Sequence, residues 1–286
     1  MARGVFVGVA TVDVVHRLER LVRPNEKVTA LGQEIAAGGP AANAAVTFAR
    51  LGGEATLVTA LGSHPLARYV AAELASHGVS VVDAAPDATV APPVSAIQVL
   101  DSTGDRQVSS INAGAFWAAH PAEPPSGLAA LAAAADVVLV DGHHPLLALA
   151  AARAASQPPG AAGAHGRVPV VLDGGSWKPV LAELLPLVDY AVCSAVFPDA
   201  ASLEVPHVAV TRGPDPVLWW SEGSSGEIPV PSVDVQDTLG AGDAFHGAFA
   251  YALAGGTSFQ GSLVHGARVA ALRCSVAGPR AWLEQL

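Results

Sequence analysis

The string DTLGAGDAFHGAFAYAL, from Asp237 to Leu253, carries the strongest chemical pattern in the chain. Gly240, Ala241 and Gly242 are small enough for a ligand to approach the backbone, and beyond them Phe245, Ala248, Phe249 and Ala252 recur at helical spacing. The first N–H groups of a helix have no partner within it and the helix dipole is positive there, so this turn is a preformed hole for an anion. Asp243 falls in the first turn, beside the hole. A carboxylate at that point can accept the proton of a hydroxyl that attacks a phosphoryl group. A second group of residues, Gly38, Gly39, Pro40, Ala41, Ala42 and Asn43, opens another helix. The glycines give freedom for a hinge, Pro40 suits a first helical position, and Asn43 offers both donor and acceptor to a hydroxyl. Asp13 follows the first apolar run, where the carboxyl end of a parallel strand presents groups to a ligand.

Short β-branched runs must position these residues. Gly4 to Ala10, Ala55 to Ala60, Val137 to Val140, Val168 to Leu172, Tyr190 to Cys193 and His207 to Thr211 read as buried strands. Helical patterns alternate with them at Ala41 to Leu51, Leu66 to His77, Pro145 to Ser156 and Trp177 to Leu187. The alternation predicts an α/β fold, a doubly wound, mainly parallel sheet covered on both faces. Two stretches, about 14–36 and 94–112, break the rhythm. Each reads as a pair of half-exposed strands around a turn, RPNE or STGD, with no room for a crossover helix. Paired with each other they make a small sheet outside the main core, suited to a lid over a site. Residues 1–286 thus read as a single domain, with Ser156 to Arg167 as a Pro/Gly-rich surface loop.

Composition narrows the ligand class. Of 286 residues, 15 are Lys or Arg and 25 are Asp or Glu, a net charge of −10 that lacks the basic footprint of a nucleic-acid binder. Cys193 and Cys274 match no metal or redox spacing and fit a reducing compartment. The most apolar long stretch, Gly127 to Val140, is broken by Asp136 and too short to span a bilayer, so a soluble, cytoplasmic protein is expected. The adjacent pair His143 and His144 has no HExxH or Cys/His partners, and neither a Walker A string nor GxGxxG after a strand occurs.

Taken together, DTLGAGD and GGPAAN resemble the two signatures of the ribokinase/PfkB family of carbohydrate kinases, and the likeness runs from Val5 to about Arg273. The resemblance implies a ribokinase-like fold with a small β-sheet lid, Asp243 as catalytic base, and the amides of Gly240, Ala241 and Gly242 around the transferring phosphoryl group. It implies that Asp13, Gly38, Gly39 and Asn43 hold a sugar, while Thr211 and Gly213 of TRGPDP, with Asp237, Gly240 and Gly242, serve the nucleotide. PVSAIQVLDSTGDRQVSSIN, ADVVLVDGHHP and GDAFHGAFAYALAGG are most similar to the branch that includes sulfofructose kinase, with ketohexokinase further off. There Lys27 and Asn112 would contact the acceptor's distal anionic group. His143 stands where that branch has an Arg, and a His is only partly charged near neutral pH. Arg106 is expected to reach the phosphates or the sugar from the lid.

The family's Asn-x-x-Glu motif is missing near Ser194 to Phe197. No residue is therefore assigned to a metal, and Mg2+ would be held mostly by the phosphates of ATP. A monovalent cation is left open, because the chain ends soon after SVAGPRAW, where C-terminal loops would form its site. The expected reaction is transfer of the ATP γ-phosphoryl group to a hydroxymethyl of a sugar, ketohexose-like or a sugar derivative, with homodimerisation through the lid. Alternatives are a nucleoside kinase, for which Phe116 and Trp117 would be the stacking candidates, and a non-catalytic sugar or nucleotide sensor.

Overall fold

The computed structural model describes residues 1–113, 117, 121–157 and 167–286. Phe116 and most of the Ser156 to Arg167 loop lie outside the described residues. The strands are β1 (Arg3–Val7), β2 (Thr11–Leu18), β3 (Gly32–Gly38), β4 (Glu54–Thr59), β5 (Val79–Asp83), β6 (Val94–Leu100), β7 (Arg106–Ser109), β8 (Val137–Val140), β9 (Val170–Gly174), β10 (Tyr190–Ser194), β11 (His207–Arg212), β12 (Asp215–Ser221) and β13 (Ser224–Ile228). The helices are α1 (Pro40–Arg50), α2 (Pro65–Ser76), α3 (Leu128–Ala133), α4 (Pro145–Ser156), α5 (Leu181–Leu184), α6 (Ala241–Ala254) and α7 (Phe259–Cys274).

Nine strands form the main sheet in the order β13-β12-β11-β10-β9-β8-β1-β4-β5, parallel except for the antiparallel β11-β12-β13 edge. Period-two alternation splits its side chains between two cores. Phe6 of β1 packs edge-on against Phe48 of α1, ring centroids 5.3 Å apart, while Val5 and Val7 point to the face covered by α4. Burial on both faces is why these strands read as continuous apolar runs.

The chain leaves this sheet abruptly. At Gly8 a Cβ would fall 2.1 Å from the Asp141 carboxylate, and Val9 N–H donates to Asp141 Oδ2 at 3.0 Å. The strand expected over Gly4 to Ala10 therefore stops at Val7, and Asp13 belongs to the next strand rather than to the end of the first. β2 enters the second sheet, of order β3-β2-β6-β7, pairing antiparallel with β3 and parallel with β6. The two excursions expected near 14–36 and 94–112 do pair with each other.

The helix expected over Trp177 to Leu187 is cut down to Leu181–Leu184 and a 3-10 turn, Leu185–Leu187. Pro186 lacks an N–H and disfavours helical backbone at the residue before it, and Pro179 precedes the segment, so a full helix has no room. Among the described residues no helix is long and apolar enough to cross a membrane.

Candidate active site

The strongest sequence pattern forms the floor of a cleft between the two sheets. Gly240 caps α6 with φ 71, a left-handed conformation that glycine adopts without strain. The chain thereby turns so that the amides of Gly242 and Asp243 begin the helix. Among the described residues neither has a backbone acceptor, and a Cβ placed on Gly242 would meet nothing within 4 Å. The hole for an anion is thus bounded by backbone and left open.

Asp243 sits at its edge. The surrounding protein, first, and then the Asp173 carboxylate push its pKa up to about 6. The hydrogen bond from Asn43 and the charges of His246 and Arg106 act the other way. A carboxylate with that value is ionised at neutral pH yet basic enough to take a proton from a hydroxyl as it reacts.

Asn43, on the first turn of α1, donates from Nδ2 to Asp243 Oδ2 at 2.7 Å. Its Oδ1 accepts from Arg280 Nη1 at 3.0 Å. Arg280 also donates to Glu73 Oε1 at 2.8 Å and to the Ala37 carbonyl at 2.7 Å, so its guanidinium joins α2, β3 and α1. Burial alone would raise the Glu73 pKa, but hydrogen bonds from His77 and Arg280 outweigh it and leave the carboxyl below its usual range. Asp13 is buried within the same cleft, 8% exposed, with Oδ1 accepting from Thr11 Oγ1 at 2.6 Å. Burial raises its pKa against the lowering effect of Thr11 and Ser95.

Both glycines before α1 are imposed by close approach. A Cβ on Gly38 would fall 2.0 Å from Asp13 Oδ2, and Gly39, at φ 99, would bring one within 2.2 Å of the Val9 carbonyl. The tight contacts are the reason a side chain is excluded at either position.

The second sheet, the expected lid, touches the chain just before Gly240. Arg106 Nη1 donates to Thr238 Oγ1 at 3.3 Å, and Thr238 N–H donates to the Gly104 carbonyl at 3.0 Å. Below them Val15, Ile97 and Val99 of the inner lid face pack with Leu239. Lys27 and Asn112 are exposed on lid loops and do not line the cleft. Burial pushes the His143 pKa down against the opposing charges of Asp141 and Asp173, which disfavours the charged ring, and His143 is not among the residues lining the cleft. Thr211 and Gly213 lie at the carboxyl end of β11, where Thr211 Oγ1 donates to the Cys193 carbonyl at 3.3 Å.

One assignment changes. Asp237, expected on the nucleotide side, is 1% exposed and turned inward to the Arg273 guanidinium, so its carboxylate does not face the cleft.

Sequence reading missed Arg280, Asp141, Asp173 and His246. Asp141 accepts from Val9, Ala41 and His143 amides and so pins the exit from β1, the start of α1 and the β8–α4 loop. Asp173 lies 3.4 Å from His246 Nδ1, beneath Asp243. Both aspartates follow apolar runs at the carboxyl ends of parallel strands, a position that points to a ligand-side role. Arg280 has no such local signal.

Among the described residues no group of three or more His, Cys, Asp or Glu is arranged to hold a metal. At the position of the missing Asn-x-x-Glu motif, Ser194 donates its hydroxyl to the Gly175 carbonyl. Mg2+ therefore fits this site as a companion of nucleotide phosphates, with Asp173 and Asp243 as the nearby carboxylates.

A family model described as pfkB family carbohydrate kinase matches residues 1–286. A ribokinase of Arabidopsis thaliana is 29% identical over 305 aligned residues, covering 96% of this chain and 76% of that one. A ribokinase-type protein of Agrobacterium tumefaciens superposes with TM-score 0.82 at 27% identity, over 99% of this chain and 95% of its own. A nucleoside kinase of Methanocaldococcus jannaschii superposes with TM-score 0.75 at 20% identity, covering 100% and 99%, a likeness of fold.

Proposed function

Because the chain belongs to the pfkB family of carbohydrate kinases, we propose that it phosphorylates a hydroxymethyl group of an uncharged, ketohexose-like sugar. Phosphotransfer from ATP with Mg2+ to a sugar alcohol is the activity of the family. The proposal concerns the acceptor and the residues that serve it.

The observation that carries it is the bridge Arg280–Asn43–Asp243, which holds a carboxylate of raised pKa between an open row of helix amides and a polar wall containing Asp13. Asp13 accepts hydrogen bonds from sugar hydroxyls, and Asn43 turns toward both the acceptor and the base. Asp243 takes the proton of the attacking hydroxyl while its oxygen bonds to the γ-phosphorus and ADP departs. The Gly242 and Asp243 amides stabilise charge on the phosphoryl oxygens, whereas the Ala241 amide, expected among them, donates to the Thr238 carbonyl at 3.3 Å. Mg2+ on the nucleotide supplies neutralisation of the phosphate charge. Lid residues exclude water, the competing acceptor. The family likeness puts His143 where the sulfofructose kinase branch has an Arg, and a ring whose charged form is disfavoured by burial is a poor substitute for that charge, which supports an uncharged acceptor.

The lid's outer face leaves Ile35 and Val94 exposed by 49% and 41%, beside Val14, which supports pairing of two lids in a homodimer. Light scattering at micromolar concentration tests this, and a strict monomer overturns it.

ATP consumption is to be screened against ketohexoses, aldohexoses, pentoses, their 6-phosphates, 6-sulfofructose and nucleosides, with Asp243→Asn as control. Preference for a neutral hexose is expected. Preference for an anionic sugar or a nucleoside overturns the acceptor assignment, binding without turnover favours a sensor, and equal turnover in the Asn variant overturns the mechanism.

A further inference from the structure

Arg273, in the last turn of α7, is 2% exposed, an extreme burial for a guanidinium. Its Nη2 donates to Asp237 Oδ2 at 3.1 Å, and its Nη1 donates to the Val276 carbonyl at 3.0 Å and the Asp237 carbonyl at 3.4 Å. One carboxylate and two carbonyls thus converge on a single buried positive charge. Oxygen donors of this kind are what a hard metal cation also requires.

The same carboxylate organises both sides of the cleft. Asp237 Oδ1 accepts from Leu239 N–H at 2.8 Å, which sets the turn into Gly240. Its Oδ2 accepts from Gly278 N–H at 3.1 Å, which sets the loop into Arg280. A buried carboxylate needs a counter-charge to stay ionised and hold both amides. A dissociable monovalent cation at these C-terminal loops does not fit, because the guanidinium already takes the oxygens and a second positive charge beside it would be repelled.

We propose that Arg273 is a tethered cation that takes the place of a monovalent metal ion at the C-terminal loops, making the chain's stability and activity independent of potassium. It is a positioning residue, acting on the phosphate turn and on Arg280 through Asp237. Only the turnover readout rests on the kinase reading; the binding readout does not.

Wild-type protein is titrated with KCl at constant ionic strength, balanced with choline chloride, while Tm and ATP turnover are followed. A Tm flat to within about 1 °C and a rate flat to within about twofold are expected, since a ligand that binds only the folded state must raise Tm. A saturable potassium-dependent rise in either overturns the proposal. In Arg273→Ala, Tm should fall in choline and recover with potassium, with turnover rising about tenfold or more as the freed oxygens take up the ion. A folded Arg273→Ala protein whose Tm ignores potassium shows that the pair is only a structural ion pair and overturns the proposal. If that variant does not fold in choline, Arg273→Met purified in potassium is dialysed into choline. Loss of structure specific to potassium removal supports the idea, and indifference sinks it. A wild type with no turnover on any sugar leaves the Tm comparison intact, which separates this test from that of the acceptor.

Discussion

On one side of Asp243 the cleft is made of backbone, the Gly240–Asp243 turn with its open amides, and on the other it is made of side chains, Asp13, Asn43 and Arg280. The backbone side comes from one short stretch of chain, and its geometry follows from a left-handed glycine and a helix start. The side-chain side is assembled from β2, α1 and the segment after α7, with Glu73 of α2 behind it. A local device tolerates variation around it, whereas a network of charged groups fails when any member is lost. On the proposed reading, the turn would recognise phosphate and the side-chain network would choose the acceptor.

That contrast can be broken most severely at the residue between the halves. Asp243→Asn should lower turnover by about 10³-fold, the usual scale for losing a general base. The same change should stabilise the fold near neutral pH. With its pKa raised to about 6, the folded carboxyl holds a proton more tightly than the unfolded one, so this group's contribution to stability falls as pH rises from the ordinary carboxylate range to about 6. Thermal melts of both proteins at about pH 5 and about pH 7.5 should therefore diverge more at the higher pH, since at pH 5 only part of the contribution has been lost. For the wild type, kcat/KM should drop as pH falls through about 6, and a flat profile there would mean that another group is the base.

Arg280→Met comes next. It keeps the length of the side chain but releases Asn43 and leaves Glu73 with His77 alone, and a small misplacement of reacting groups costs about 10²-fold. Steady-state kinetics should show that loss in kcat/KM for the sugar, with KM for ATP little changed. An equal loss for both substrates would erase the proposed division. Gly242→Ala probes the backbone half. Open space around its Cβ and the helical position predict stability unchanged or higher by about 0.5–1 kcal/mol, while the added methyl intrudes on the phosphate and lowers kcat/KM for ATP roughly tenfold. The smallest effect is expected from Arg106→Ala, a rise of about threefold in KM for ATP that fades with added salt, because this cation is exposed.

The same contrast explains what could be read from the chain. Buried strands and α6 announce themselves in consecutive residues, and the Gly240 turn needs only its own glycine. The strand β13 escaped because SSGEI mixes polar and small residues with little apolar alternation, which left the apolar run of β12 without a visible hairpin partner. That the two irregular excursions form one small sheet was legible, whereas the parallel pairing of β2 with β6 inside it was not. Arg280 was invisible because its three partners lie 207 to 243 residues away, and no spacing rule reaches so far. Asp237 was misplaced for a related reason. Its motif position suggested the nucleotide, but a guanidinium 36 residues on turned it inward.

The position of Arg280 also bears on synthesis. In a nascent chain that has emerged only through α6, Asp237 lacks Arg273 as the partner that sets the turn into Gly240, and Asn43 lacks the guanidinium of Arg280. The acceptor site is completed only when the segment after α7 docks. Chains truncated before Arg280 are expected to lose the guanidinium that joins Asn43, Glu73 and the Ala37 carbonyl.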